Sequence, residues 1–217
     1  DINMIEVIEK TNEKVRFKLN MSLSLANALR RSVNYIPVLA IDSLEISKND
    51  SALYDEIIAH RMGLVPLKNE KLKLPEDCDC GKEEGCGKCS IKFKLSAIGP
   101  SMVYSDQLSP KGNVIYKMPV TLLEKDQELE FVAIAKMGIG VKHAKYSPGA
   151  IYYKYEEDSL DGNEENFKKL IEDSKKDKEK DIIISIESWG QMSPKEIFSG
   201  AVEILNKEIS EFIKKIK

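Results

Sequence analysis

The sequence predicts an α+β fold in which two end segments rich in regular structure enclose a β-rich, metal-stapled middle. Three observations carry that expectation. Helical periodicity occurs once near each end, period-two alternation dominates between them, and all four cysteines fall within "CDCGKEEGCGKC", Cys78 to Cys89. With 217 residues the chain can build one large or two modest cores without a metal or disulfide holding all of it.

At the N-terminus "MIEVIEK" and "VRFKLN" flank the polar "TNE", and Val15, Phe17 and Leu19 alternate with Arg16, Lys18 and Asn20. This is a hairpin with one buried face. In "SLSLANALRRSVNYIP" the period changes: Leu25, Ala28, Leu29, Ser32, Val33 and Ile36 recur at helical steps, Ser22 or Ser24 can cap, and Pro37 stops the helix. "VLAIDSLEIS" reads as a strand. "SALYDEIIAHRMGLVPL" reads as a shorter helix with Gly63 as a left-handed terminator. After the cysteines, Ile91, Phe93, Leu95 and Ala97 alternate with Lys92, Lys94 and Ser96, a half-buried strand. "MVYSDQL", "NVIYKMPVTLL" and "ELEFVAIAKM" add β signals, and "GIGVKHAKYSPG" is a loop leading to "IYYKY". Residues 156–181 are dominated by charge and read as an exposed linker with room for one short helix. "IIISIESWG" is a strand, and "SPKE" opens the last helix with a capping box, Ser193 as cap and Pro194 in the first helical position.

That helix can run about 36 Å. Phe198, Val202, Leu205, Ile209, Phe212 and Ile216 form its stripe, widened by Ile197, Ala201, Ile204 and Ile213. Two readings of so broad a stripe stand: an intramolecular core helix, or a face shared with a partner chain.

The spacing C-x-C-x5-C-x2-C, with Gly81, Gly85 and Gly87 between ligands, suits metal binding by Cys78, Cys80, Cys86 and Cys89. Four cysteines leave no open position, so structural zinc leads over an iron–sulfur cluster and over an empty loop. The acidic neighbours Glu76, Asp77, Asp79, Glu83 and Glu84 argue against a ribbon that grips phosphate. A formal charge of −3 also argues against a chain that coats nucleic acid or an anionic membrane. No apolar run approaches a membrane span and the first residues are unlike a signal peptide, so a soluble cytoplasmic protein is expected. His60 and His143 lie in no catalytic motif, and no nucleotide-binding or nucleophile motif occurs. A binding or assembly protein is the reading, not an enzyme.

"NALRRSVNYIPVLAIDSLEI", "DEIIAHRMGLVPL", the cysteine loop, "HAKYSP" and "ESWGQMSPKEI", in that order, resemble the D subunit of archaeal RNA polymerase. That family is similar to the third-largest subunit of eukaryotic RNA polymerase II and to the N-terminal part of bacterial α. The resemblance implies a discontinuous dimerisation domain, 1–48 with 182–217, an inserted β-rich domain, 49–155, and a linker or reduced insertion, 156–181. It implies a non-catalytic scaffold: the dimerisation domain pairs with subunit L, and the pair supports subunits N and P and the two large catalytic subunits. It places Asn27, Leu29, Arg30 and Arg31 at the dimer and large-subunit contact, with Arg31 the docking residue. Phe198, Leu205, Ile209 and Phe212 join the face meeting subunit L, and Arg61 is a contact of the inserted domain. The cysteine loop corresponds to the eukaryotic zinc loop, with a longer gap between its second and third cysteines. Residues 156–181 lack cysteine, so the iron–sulfur cluster that some archaeal relatives carry there is not expected. The alternative is a freestanding zinc protein that binds nucleic acid or another regulator.

Overall fold

The computed structural model describes residues 5–82, 84–155 and 180–216. In chain order its elements are strands β1 (Glu6–Lys10) and β2 (Lys14–Met21), helix α1 (Leu23–Ser32), strand β3 (Val38–Asn49) and helix α2 (Asp55–Gly63). Strands β4 (Ser90–Ile98), β5 (Ser101–Tyr104), β6 (Pro119–Leu123), β7 (Glu128–Gly138), β8 (Gly149–Tyr155) and β9 (Lys180–Ser188) follow, then helix α3 (Pro194–Ile216). The architecture is α+β, as the periodicities predict. It divides into two compact units, Asp1–Ile36 with Pro148–Lys217, and Pro37–Ser147.

The first unit holds an antiparallel sheet in the order β1-β2-β9-β8. Strand β2 lays Phe17 and Met21 into its core, with Val15 and Leu19 packed behind them, and β9 contributes Ile182, Ile184 and Ile186 from the facing register. Helix α1 starts where the Ser22 hydroxyl accepts the backbone N–H of Leu25. It buries Ala26, Leu29 and Ser32 and continues through a 3-10 turn, Val33–Tyr35. Leu25, expected on the buried stripe, is exposed and Ala26 takes its place, because the stripe is rotated by one residue. Gly149 sits where β8 approaches β9 so closely that a Cβ would lie 2.1 Å from the Glu187 carbonyl oxygen, so only glycine fits.

The second unit has a three-stranded antiparallel sheet, β3-β7-β4, and a β5-β6 pair. Central β7 buries Leu129, Phe131, Ala133 and Ala135 against Phe93 and Leu95 of β4 and against Ile58 and Met62 of α2. The period-two reading of β4 holds, with Phe93 and Leu95 buried and Lys92 and Lys94 exposed.

Several expectations are corrected. Strand β3 pairs with β7 along Val38↔Gly138 to Asn49↔Leu129, so 37–48 belong with the middle of the chain. Strand β8 pairs with β9, so 149–155 belong with the ends. Strand propensity marks a segment as extended but not which partner it finds, and so the expected boundaries fell one strand away on each side. Gly63 does not adopt a left-handed conformation: it is the last residue of α2, followed by Leu64 as C-cap, with Pro66 blocking continuation. In "NVIYKMPVTLL" only Pro119–Leu123 is strand, and Val114 forms an isolated bridge to Leu67. The expected linker lies outside the described residues except for its last two, which open β9.

Helix α3 begins with the expected capping box. The backbone N–H of Ser193 donates to Glu196 Oε2 at 2.7 Å, and the Glu196 N–H donates to Ser193 Oγ at 3.3 Å. Hydrogen bonds from the Ser193 hydroxyl and backbone hold the Glu196 carboxyl below its ordinary range. A group whose folded value is depressed stabilises at pH above its unfolded value, and that contribution is lost as pH falls through the folded value. Glu196→Ala is therefore expected to lower stability by about 0.5 kcal/mol near neutral pH and by nothing measurable once carboxylates are protonated. Urea denaturation at both pH values checks this; an equal loss at both would contradict the box.

Candidate metal centre and exposed apolar face

The cysteine loop is built by short-range backbone turns. A 3-10 turn, Pro75–Asp77, delivers Cys78, whose N–H donates to the Pro75 carbonyl at 3.3 Å. At the other end the Cys86 carbonyl accepts the N–H groups of Cys89 and Ser90 at 2.9 and 2.8 Å, a tight reversal that places both sulfurs on one side. The Cys86 N–H donates to Cys89 Sγ at 3.2 Å. Gly81 and Gly85 carry φ of 61° and 81°, the left-handed region where a side chain is strained. At Gly85 a Cβ would also lie 2.7 Å from Ser90 Oγ.

The result brings the four sulfurs within 4.8 Å of one another. Cys78 and Cys86 are 3.7 Å apart, Cys80 and Cys89 3.8 Å, and Cys86 and Cys89 3.9 Å. Four thiolates placed tetrahedrally about 2.3 Å from one ion have edges of about 3.8 Å. The donor set therefore fits a divalent metal in closed coordination. The thiols themselves show the strain of proximity. The Lys88 backbone N–H, reinforced by neighbouring thiols, holds the Cys86 thiol down to about 7. Cys78 accepts a lowering hydrogen bond from the Cys80 backbone, yet thiol contacts with Cys80, Cys89 and Cys86 push it up to about 12. The same crowding thus lowers Cys86 and raises Cys78, and a cation between the sulfurs would favour the thiolate form of each ligand.

Strand register puts a second polar cluster beside the loop, one that sequence reading missed. Lys136 of β7 stands opposite Ser90, the residue after the last cysteine. Its ammonium lies 3.2 Å from Asp42 Oδ2, while Lys145 approaches Asp42 Oδ1 at 3.4 Å and the Tyr146 hydroxyl donates to the same oxygen at 2.9 Å. Burial raises the Asp42 carboxyl, but the Tyr146 and Lys136 hydrogen bonds outweigh it and leave it below its usual range. Burial, followed by Asp42 itself, pushes Tyr146 up. The only signal in the sequence is Asp42, an acid directly after the apolar run in "VLAIDSLEI", whose partners lie about a hundred positions away.

In the first unit α3 is two-sided along its length. Ile197 and Ala201 are fully buried, and Phe198 packs edge-on against Phe17 with ring centroids 5.5 Å apart. Val202, Ile204 and Leu205 are half-buried. Beyond them Ile209, Phe212, Ile213 and Ile216 are 49, 64, 50 and 68% exposed. The stripe continues after its own core has ended.

On α1, Leu29 points into the core of its own unit and is not available to a partner, because it shares the helix face that covers the sheet. Asn27 accepts both the Nε and Nη2 hydrogens of Arg30, at 3.2 and 2.9 Å, so these two form a pair on the helix surface. The exposed Arg31 side chain meets no described residue in a hydrogen bond or ion pair. Arg61 is engaged within its unit: Nη1 donates to the Val120 carbonyl at 2.5 Å, tying α2 to β6. His143 caps the 3-10 turn Ala144–Tyr146 by accepting the Lys145 N–H, a structural role, and His60 lies exposed on α2.

Residues 39–152 match the family described as the RNA polymerase Rpb3/RpoA insert domain. The chain belongs to the Rpb3/RpoA family. The matched span runs from the start of β3 into β8, over the cysteine loop and the Asp42 cluster. This Rpb3/RpoA-family chain is 40% identical over 163 residues to DNA-directed RNA polymerase subunit Rpo3 of Methanothermobacter thermautotrophicus, covering 70% of this chain and 61% of that protein. With Rpo3 of Archaeoglobus fulgidus the identity is 38% over 155 residues, 68% of this chain and 58% of the relative. With DNA-directed RNA polymerase II subunit rpb3 of Dictyostelium discoideum it is 35% over 167 residues, 68% and 55%. The matched part thus spans about three fifths of the archaeal relatives' length. Among the described residues no helix is long and apolar enough to cross a membrane.

Cys86→Ser is expected to abolish binding of cobalt(II), read as loss of the thiolate charge-transfer absorption, and to speed hydrogen exchange in 72–90. Protection of Ile182–Ile186 should remain within about twofold, because metal binding stabilises the segment that supplies its ligands. Equal loss of protection in both places would contradict this.

Proposed function

We propose that this chain is a non-catalytic scaffold subunit of a DNA-directed RNA polymerase, working in the cytoplasm. The observation that carries the reading is the apolar stripe left open on α3 in a chain of the Rpb3/RpoA family. An exposed row of Ile209, Phe212, Ile213 and Ile216 has no use in a solvated helix and suits a facing helix of a smaller subunit. That partner is subunit L, with Phe198 and Leu205 completing the seam where it meets the core. The pair then supports subunits N and P and the two large catalytic subunits, which supply the chemistry. Arg31 suits docking to a large subunit: it is exposed, unengaged by described residues and always charged, with a fork that binds carboxylates or carbonyls in fixed geometry. Asn27 and Arg30 add to that surface as a preformed pair, and Leu29 supports it from below. Arg61 holds the α2 side of the second unit in place for its contacts. Zinc suits the cysteine loop, since four soft thiolates in closed tetrahedral array favour it and leave no place for substrate.

Two tests follow. Co-expression with subunit L should give a soluble one-to-one heterodimer without intrinsic DNA affinity, and the double variant Ile209→Glu, Phe212→Glu should weaken it at least about a hundredfold while leaving the melting temperature of the isolated chain unchanged. A monomer that binds DNA with steep salt dependence would overturn the scaffold reading in favour of a freestanding nucleic-acid binder. Separately, Arg31→Ala should preserve the heterodimer and weaken capture of the large subunits by about tenfold or more. Unchanged assembly would remove Arg31 from the docking surface.

A further inference from the structure

Three donors converge on one backbone oxygen of the cysteine loop. The Cys86 carbonyl accepts the N–H groups of Cys89 and Ser90 at 2.9 and 2.8 Å, and the Ser90 hydroxyl adds a third hydrogen bond at 3.2 Å. That carbonyl belongs to the part of the loop that most needs fixing. Cys86 stands between Gly85 and Gly87, and glycine on both sides gives the backbone there a wide choice of conformations to lose. Ser90 is a firm place to fix it to. It is 8% exposed, opens β4 and pairs with Lys136 of the central strand β7. Gly85 leaves the hydroxyl its room, since a Cβ there would lie 2.7 Å from Ser90 Oγ and 3.1 Å from Cys89 Sγ. The two halves of the site are thus held differently. Cys78 is held within its own turn, by its N–H on the Pro75 carbonyl at 3.3 Å, whereas Cys86 is held to the first residue of a strand.

We propose that Ser90 is a positioning residue of the metal centre: its hydroxyl, together with its own N–H, holds the Cys86 carbonyl and so keeps the Cys86–Cys89 half of the site shaped for a metal before one binds. This rests on the reading of the four cysteines as a metal centre. The hydroxyl acts through the peptide that follows Cys86. With its oxygen pinned, that peptide keeps one orientation, and the turn stays closed in which the Cys86 N–H meets Cys89 Sγ at 3.2 Å. A site that is competent for only part of the time binds with an affinity reduced by that fraction. A tether that keeps the turn closed therefore raises affinity by speeding capture, not by slowing release.

The experiment uses the full chain. Cobalt(II) capture and release are followed by the thiolate charge-transfer absorption, and zinc affinity is measured by competition with a chromophoric chelator. Ser90→Ala is expected to weaken zinc about three- to tenfold, with cobalt capture slowed by the same factor, release unchanged within about twofold, and the four-thiolate spectrum retained. Ser90→Thr, which keeps the hydroxyl, should stay within about twofold of wild type, whereas Ser90→Val, of the same size without it, should be as weak as alanine. The threonine and valine variants decide the role even if the alanine variant does not fold. Wild-type capture in Ser90→Val, or a threonine variant as weak as valine, would overturn it. So would a urea midpoint of the metal-free chain that is lower in Ser90→Val than in Ser90→Thr while capture is unchanged, the mark of a serine that only supports the fold. A wild-type chain that binds neither zinc nor cobalt would instead overturn the metal reading beneath it.

Discussion

Strand β2 hydrogen-bonds along its length to β9, with Lys14 opposite Glu187 at one end and Met21 opposite Lys180 at the other. Every other feature of the first unit depends on that pairing. It sets Phe17 against the isoleucines of β9, gives α1 and α3 one surface to cover, and reinforces its margin with Asn20 bonded to Asp181 at 2.9 Å across 161 positions. The entropy of closing so long a loop is not prohibitive, since each doubling of length adds only about 0.6 kcal/mol. Burying Ile182, Ile184 and Ile186 contributes roughly 1.5–3 kcal/mol each, which outweighs the added length of an interposed unit. An insertion between these strands is therefore tolerated energetically as long as both strand faces keep their apolar alternation.

The same comparison of magnitudes explains the two characters of α3. Its first three turns lie over a core that β2 and β9 create, and there Ile197 and Ala201 lose all contact with water. A helix of 23 residues is about 35 Å long, and its buried residues end at Ala201, about a third of the way along it. Local signals nonetheless carry the helix onward: the capping box starts it, and Lys214 and Lys215 complement the dipole at its end. Helix propensity and core coverage stop at different places, and the difference is a stretch of ordered, apolar, unpaired surface. Such a surface is pre-organised, so covering it requires little further ordering.

What could be read from the sequence follows the range of the interaction involved. The cap at Ser22, the capping box at Ser193, the alternation of β4 and the glycine-punctuated cysteine loop all rest on neighbours within a few positions, and each was legible. The partners of β3 and β8 were not, because extended propensity is silent about pairing. The rotation of α1 that buries Ala26 and exposes Leu25 is decided by the sheet beneath it. Gly63 illustrates the same limit: the residue permits a left-handed stop, but the helix ends on it without using one. Of the candidate site, the ligands were readable and the Asp42–Lys136–Tyr146 cluster was not, since its members gain meaning only once β3, β7 and the 143–146 turn come together.

The cysteine loop then follows from a shortage of core. Between Leu67 and Cys89 none of the described residues is buried, and only Leu72 and Leu74 pack partly against the cluster behind β7. A segment of that composition, rich in Lys, Glu, Asp and Gly, cannot hold a fixed shape by burial alone. Among the described residues its anchors to the sheet include Asn69 Oδ1 accepting the Leu39 N–H of β3 at 2.9 Å, the Lys92 ammonium on Glu84 at 2.6 Å, and the Ser90 step into β4. Exposed ion pairs of this sort contribute little, because solvent screens them. A bound metal acts on a larger scale, because its binding free energy becomes folding free energy for the residues that ligate it. The loop's shape is thus set by its cysteines and glycines, and its attachment by the strand that immediately follows the last ligand.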